Sequence, residues 1–143
     1  MKVTVKWEGK RKFTGLTAAG HRAVMDSAME NGGEDSGARP TELLLMAVAG
    51  CTGIDIVSIL EKMRTPAREL TMEVSGERAQ DHPKRFTDIR VIYRITGEDI
   101  PPGNAERAVK LSAEKYCSVA HSLNAKMSYE FELNGTRYTI QAG

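Results

Sequence analysis

Two cysteines carry the chemical interest of this 143-residue chain. Cys51 stands in the apolar run Leu43–Ile54, flanked by Gly50 and by Thr52-Gly53, and Cys117 follows 66 positions later in the stretch EKYCSVAHSL. Two thiols do not make a disulfide scaffold, so in a reducing compartment each requires packing, metal ligation or redox chemistry as its explanation. A free cysteine packs as a small hydrophobe, which is the ordinary explanation for either one alone. The glycines beside Cys51 remove side-chain bulk and let another backbone or a small substrate come close. Each costs a helix about 1 kcal/mol relative to alanine. Asp55 lies one turn after Cys51 on the same helical face, where an ionised carboxylate raises a thiol pKa. It is read as a buried acid satisfied by hydrogen bonds or by a basic side chain. Cys117 and His121, at i and i+4, have the spacing of two metal ligands. A zinc site takes three or four, and His21, His82 and the carboxylates are scattered along the chain. No metal and no cofactor are expected, and no phosphate loop or dinucleotide fingerprint is present.

The elements that must position these thiols follow from pattern. Val3, Val5 and Trp7 alternate on one face of a strand, Gly9 marks a turn, Phe13 sits in a return strand, and His21–Asp26 reads as another short strand. Residues 27–38, with Asn31, Gly32, Gly33, Ser36 and Gly37, read as a flexible loop. Pro40 suits a first helical position and Glu42 meets the positive end of the helix dipole. The run LLLMAVAGC that follows is apolar round its circumference, so the helix, about 40–63, should be buried on most sides. A long hairpin is expected over about 70–97, where Ile89, Val91, Tyr93 and Ile95 alternate strictly. A helical region follows over about 104–123, with Asn104 as its N-cap. Ser118 caps a second short helix there, and a break falls near Cys117. A last hairpin, about 126–141, turns at Asn134-Gly135. The result is a single α+β domain over 1–143, with antiparallel sheets wrapping a long buried central helix. A helix apolar on every side needs cover all round, which one curved sheet does not give. The simplest completion is a second copy, so a homodimer is expected with this helix near the two-fold axis.

Composition narrows the function classes. Twenty basic and nineteen acidic side chains give a net charge of +1, without the electrostatic signature of a nucleic-acid binder. The basic hairpin residues Lys2, Lys6, Lys10, Arg11 and Lys12 read as a solvated sheet edge. The longest uncharged stretch, Leu43–Ile54, is short for a bilayer, and the N-terminus has no apolar core of a signal peptide. No membrane or nucleic-acid partner is expected, and the cytoplasm is the expected location.

The segment RPTELLLMAVAGCTGIDIVSIL, followed some sixty residues on by EKYCSVAHSL, resembles the OsmC/Ohr family of osmotically inducible and organic hydroperoxide resistance proteins. The order of elements matches across essentially the whole chain. The resemblance implies an intertwined homodimer and a two-cysteine, thiol-dependent peroxidase active on small hydrophobic hydroperoxides in oxidative stress defence. It implies Cys51 as the peroxidatic thiol and Cys117 as the resolving thiol, with a sulfenate at Cys51 and a Cys51–Cys117 disulfide in the cycle. A thiol reductant restores the pair, lipoyl thiols being the family's suggestion. In the family an arginine held by a glutamate supports the thiolate. Here Thr41 stands at the usual glutamate position and the acid is one place later, at Glu42. The family's arginine has no residue-by-residue match; Arg39, three positions before Glu42 and able to pair with it, is the candidate. Ser118 stands where the peroxidases usually have proline. These departures mark a divergent branch. The alternative function is a dimeric small-molecule-binding or redox-sensing protein with little peroxidase activity. Glu42 and Cys51 are nine helical residues apart, about 13 Å along the axis and on opposite faces. Arg39 and Glu42 therefore serve Cys51 only across a dimer interface, with two sites per dimer.

Overall fold

The computed structural model describes residues 1–140. The chain forms two compact units, Met1–Leu44 and the chain from Leu45 onward. The class is α+β, with two sheets and a central helix among the described residues.

In the first unit β1 (Val3–Trp7), β2 (Phe13–Thr17) and β3 (Arg22–Met25) form an antiparallel meander in the order β1-β2-β3. Trp7 pairs with Phe13 and Phe13 with Met25, while Val5 pairs with Gly15 and Gly15 with Ala23. Directly opposed residues share a face, so these residues and Val3 make one apolar surface. Val3, Val5, Trp7 and Phe13 on it are all exposed.

Residues 27–38 are not the loose loop their composition suggests. Asp26, 2% exposed, collects the loop onto one carboxylate. It accepts from the N–H groups of Ser27 (2.8 Å), Glu34 (3.1 Å) and Ser36 (3.1 Å) and from Ser36 Oγ (2.7 Å). The Ser36 hydroxyl leads the effects that hold this carboxyl at about 2, against burial, which acts the other way. The loop glycines are there for space: a Cβ on Gly33 would lie 2.0 Å from Ser27 O, and one on Gly37 2.7 Å from Val24 O.

The long helix, α1, spans Pro40–Lys62. By length and composition alone it could cross a membrane, a test that the core helix of a globular protein also passes. From Leu45 onward its buried residues are Val48, Thr52, Ile56 and Leu60, spaced every four positions, with Gly53 beside them, one face of a helix. The opposite side, with Met46, Ile54 and Val57, is exposed in the single chain. The expectation of burial on most sides is thus met on one side only.

The second sheet has the order β4-β5-β6-β7, from β4 (Glu69–Arg78), β5 (Phe86–Thr96), β6 (Lys126–Leu133) and β7 (Thr136–Thr139). Ile89, Val91, Tyr93 and Ile95 of β5 and Phe131 and Leu133 of β6 form the core with Val48, Ile56 and Leu60 of α1. One pairing departs from the antiparallel expectation: β5 and β6 run parallel. Parallel neighbours require a long crossover, and the helical region between them supplies it. Asn134 (φ 48°) and Gly135 (φ 88°) make the expected tight turn between β6 and β7. Residue 141 of that expected hairpin lies outside the described residues.

The crossover begins with α2 (Pro102–Leu111), whose N-cap is Pro101. Asn104 does not cap it; its amide donates to Thr65 Oγ1 at 3.3 Å. After α2 the backbone widens into a π-helical segment, Ser112–Tyr116, turns extended at Cys117, and closes with the one-turn helix α3 (Ser118–His121). The expected break falls at Cys117. The capping residue is Cys117 itself, not Ser118, which is the first residue of α3.

Candidate thiol site

Cys51 is held by a rigid stretch of α1. Next to it, Thr52 is fully buried and its Oγ1 donates to Val48 O at 3.0 Å, with Ala49 O at 3.3 Å. Gly53 packs against β4, where a Cβ would meet Met72 Cε at 2.9 Å. Gly50 faces open space. Of the two glycines, Gly53 lies against its own sheet, where the Met72 tip would have to shift to admit a Cβ, and Gly50 leaves room for something else to approach. Cys51 itself is half-buried.

Cys117 comes to the same place from the crossover. Its N–H donates to Ser112 O at 2.8 Å across the π segment, and its Sγ accepts from Ala120 N–H at 3.3 Å. The side chain is fully buried. Burial pushes this thiol up to about 11. The Ala120 N–H pulls it down, and the adjacent Cys51 sulfur and the Asp55 carboxylate push it up. Cys117 is thus a protonated thiol at neutral pH, facing Cys51. Both cysteines are free.

Two residues to which the sequence reading gave no role at the thiols complete the surroundings. Ser112, fully buried at the head of the π segment, donates from Oγ to Asp55 Oδ2 at 2.8 Å. The expectation that a hydrogen bond satisfies Asp55 holds, and the bond ties α1 to the segment that carries Cys117. Tyr93, fully buried on β5, is acted on by Cys117, Asp55 and Tyr129. A polar-tipped residue in an otherwise aliphatic alternation was its one sequence signal. His121, read as half of a metal spacing, has Nε2 on Ala113 O at 3.0 Å, closing α3 back onto the π segment. Beside α3 lies a cleft of about 520 Å³, lined by apolar side chains such as Leu123 and Met127 and by the charged Lys110, Glu114 and Lys126, and by neither cysteine.

Arg39 and Glu42 belong to the first unit and are not paired as side chains. Glu42 Oε1 accepts from the Arg39 backbone N–H at 2.8 Å, the arrangement of an acid at N3 reaching back to the N-cap. The Arg39 guanidinium instead bridges Gly37 O at 3.1 Å and Asp35 at 2.9 Å. The expected pair is not formed because the helix end claims the carboxylate first.

The geometry defines an α+β protein with two free thiols juxtaposed between a central helix and a π-distorted crossover. A family model described as OsmC-like protein matches residues 33–132, and the chain belongs to the OsmC-like family. It is 41% identical over 134 residues to Protein YhfA of Escherichia coli K12, covering 91% of this chain and 97% of that one. A hypothetical protein from Aquifex aeolicus VF5 superposes with a TM-score of 0.76 at 32% identity, over 93% of this chain and 96% of that one. The organic hydroperoxide resistance protein OhrB of Bacillus subtilis shares the fold, with a TM-score of 0.62 at 20% identity over 92% and 96% of the two chains.

Proposed function

We propose that this protein is a thiol-dependent peroxidase that reduces organic hydroperoxides to alcohols, working as a cytoplasmic homodimer in oxidative stress defence. The observation that carries the reading is a half-buried Cys51 set against a buried, protonated Cys117. The Cys51 thiolate attacks the O–O bond, the alcohol leaves, and Cys51 becomes a sulfenic acid. Cys117 condenses with it to a disulfide and water, before further oxidation. A thiol reductant, of lipoyl type by family analogy, reopens the disulfide by exchange. Exposure divides the labour: the more accessible sulfur meets the peroxide and the buried one resolves. Structural neighbours named as hydroperoxide resistance proteins support the reaction class.

The dimer rests on uncovered apolar surface. Met46 and Ile54 of α1 and Val3 and Trp7 of the first sheet are more than half exposed in the single chain. A second copy laid on these faces removes them from water. In this assembly Arg39 and Glu42 of one copy serve as thiolate support for Cys51 of the other. A second reading, a redox-sensing or small-molecule-binding protein, is favoured by Asp55, a carboxylate that opposes thiolate formation nearby.

Thiol counting separates the two readings. Cumene or tert-butyl hydroperoxide should rapidly consume both thiols and give an intrachain Cys51–Cys117 disulfide, with hydrogen peroxide compared alongside. Cys51→Ser should abolish turnover. Cys117→Ser should leave one turnover and promote over-oxidation. Persistence of both thiols under excess hydroperoxide would sink the peroxidase reading.

A further inference from the structure

The cleft beside α3, about 520 Å³, has the size of a small-molecule site. Its apolar walls are Leu123, Met127, Tyr129 and Ile140, all half-buried and packed against the core. Met127 and Tyr129 alternate along β6 with Phe131 and Leu133, which lie inside the core. The cleft thus carries the apolar face of the second sheet out to solvent. Its charged groups are few. Lys126 makes no ion pair among the described residues, and Lys110 is paired with Glu106 at 3.1 Å. Among the described residues Glu114 is the one acid on the lining. The His121 ring, also on it, gives its Nε2 proton to Ala113 O at 3.0 Å. Two lysines against one glutamate leave the cleft positive.

The floor of the cleft is also the support of Cys117. Ala120, on the lining, donates its N–H to Cys117 Sγ at 3.3 Å. Ala113, also on the lining, follows Ser112, whose carbonyl accepts the Cys117 N–H at 2.8 Å. The His121–Ala113 bond closes α3 onto the π segment. A molecule in the cleft therefore meets the residues that hold Cys117 and not the sulfur itself. Helix α3 is a single turn, Ser118–His121, and so short an element opens at low cost. Cys117, fully buried, is its N-cap. Opening α3 exposes that thiol and dismantles the cleft in one event.

We propose that this cleft binds a small amphipathic anion, an apolar chain ending in a carboxylate, and that its occupation holds α3 closed over Cys117. The chain lies on Leu123 and Met127, and the carboxylate meets Lys126. A ligand that fits only the closed form stabilises it by mass action. Because neither cysteine lines the cleft, this ligand is not the molecule on which the thiols act. The site governs access to Cys117 and stands apart from the peroxidase reading.

The test uses octanoate as the probe on the reduced protein, with sodium chloride and acetate at matched concentration as controls. Binding is read from the methyl signal of Met127, which gives Kd. Iodoacetamide alkylation of each cysteine is followed separately by mass spectrometry. The Cys117 rate should fall by the factor 1 + [octanoate]/Kd, about elevenfold at ten times Kd, while the Cys51 rate changes little. Acetate, without the chain, should protect nothing. Lys126→Gln, at an exposed position, should weaken octanoate by about threefold, the scale of an exposed ion pair, and Glu114→Gln should tighten it. Octylammonium should bind more weakly than octanoate and respond to the two substitutions in the opposite sense. No displacement of the Met127 signal by 10 mM octanoate overturns the site, and octylammonium binding as tightly as octanoate overturns its preference for an anion. Binding that leaves the Cys117 rate unchanged, or slows both cysteines equally, refutes the closure of α3 over the thiol. None of these readouts needs a hydroperoxide, so they stand or fall independently of thiol loss in the peroxidase assay.

Discussion

Ser112→Ala removes the one hydroxyl that joins the crossover to the acid on α1. Ser112 Oγ donates to Asp55 Oδ2 at 2.8 Å from a fully buried side chain. A hydrogen bond to a charged acceptor contributes about 1.5–3 kcal/mol. Asp55 is half-buried, so water takes over part of the lost bond, and the low end, about 1.5 kcal/mol, applies. A chain of this length loses about 2–4 °C of Tm per kcal/mol, so the variant should melt about 3–6 °C below wild type. The double-mutant cycle with Asp55→Ala isolates the pair. Coupling of about 1 kcal/mol is expected from urea unfolding of the four proteins. Ser112 also accepts the Cys117 N–H at 2.8 Å through its backbone. Loosening it should make Cys117 alkylate faster with iodoacetamide, while Cys51 alkylation changes little. Single losses that simply add, together with an unchanged Cys117 alkylation rate, would refute the claim that this bond positions the crossover thiol.

Three further outcomes follow from the same structure. The Asp26 carboxyl is held at about 2 in the fold against an ordinary 3.8, so its contribution is present above about 3.8 and is lost as pH falls toward 2; amide exchange at Glu34 and Ser36 should accelerate in that window and, in Asp26→Ala, already at neutral pH. Gly33→Ala should destabilise by about 2 kcal/mol, because its Cβ meets the Ser27 carbonyl at 2.0 Å and backbone cannot yield. Ile54→Glu, at a side chain 72% exposed, should leave a single chain within about 0.5 kcal/mol of wild type but dissociate the proposed dimer. Light scattering coupled to gel filtration reads that difference, and an unchanged mass would count against this face as the contact.

Much of the fold was legible because side-chain periodicity reports which face is buried. Ile89, Val91, Tyr93 and Ile95 alternate at the strand period, and the structure buries all four. Pro40 opens α1, and Asn134-Gly135 turns the last hairpin. Periodicity does not report neighbours, so the parallel pairing of β5 with β6 was not visible. Asp26 organises its loop through backbone N–H groups of Ser27, Glu34 and Ser36, which composition does not contain. The π segment uses residue types that also suit an α-helix, and only the widened backbone distinguishes it. The two thiols stood out because each sits at a local irregularity, a glycine-flanked position and a helix break, but pairing them came from the family resemblance, since local pattern alone favoured packing. Ser112 did not stand out, since its partner Asp55 is 57 residues away in sequence. Arg39 and Glu42 were paired from spacing alone, which does not weigh Asp35 or the helix N-terminus as competitors.

The absence of an obvious polar face on α1 has a structural cause that bears on the thiol. From Leu45 onward the helix surface divides into three stripes. Val48, Thr52, Ile56 and Leu60 meet the second unit's core. Met46, Gly50, Ile54 and Val57 form an open, largely apolar stripe on the other side. Cys51, Asp55 and Ser58, all half-buried, run along the seam between them. Two opposed apolar faces cancel in any measure of amphipathicity, so the sequence reads as apolar all round although only one face meets its own chain. The seam is the one place on the helix from which a thiol can reach the crossover and still meet a molecule from outside. If a second copy covers the open stripe, it also closes the seam beside Cys51 from that side, leaving the crossover side as the remaining approach to the thiol.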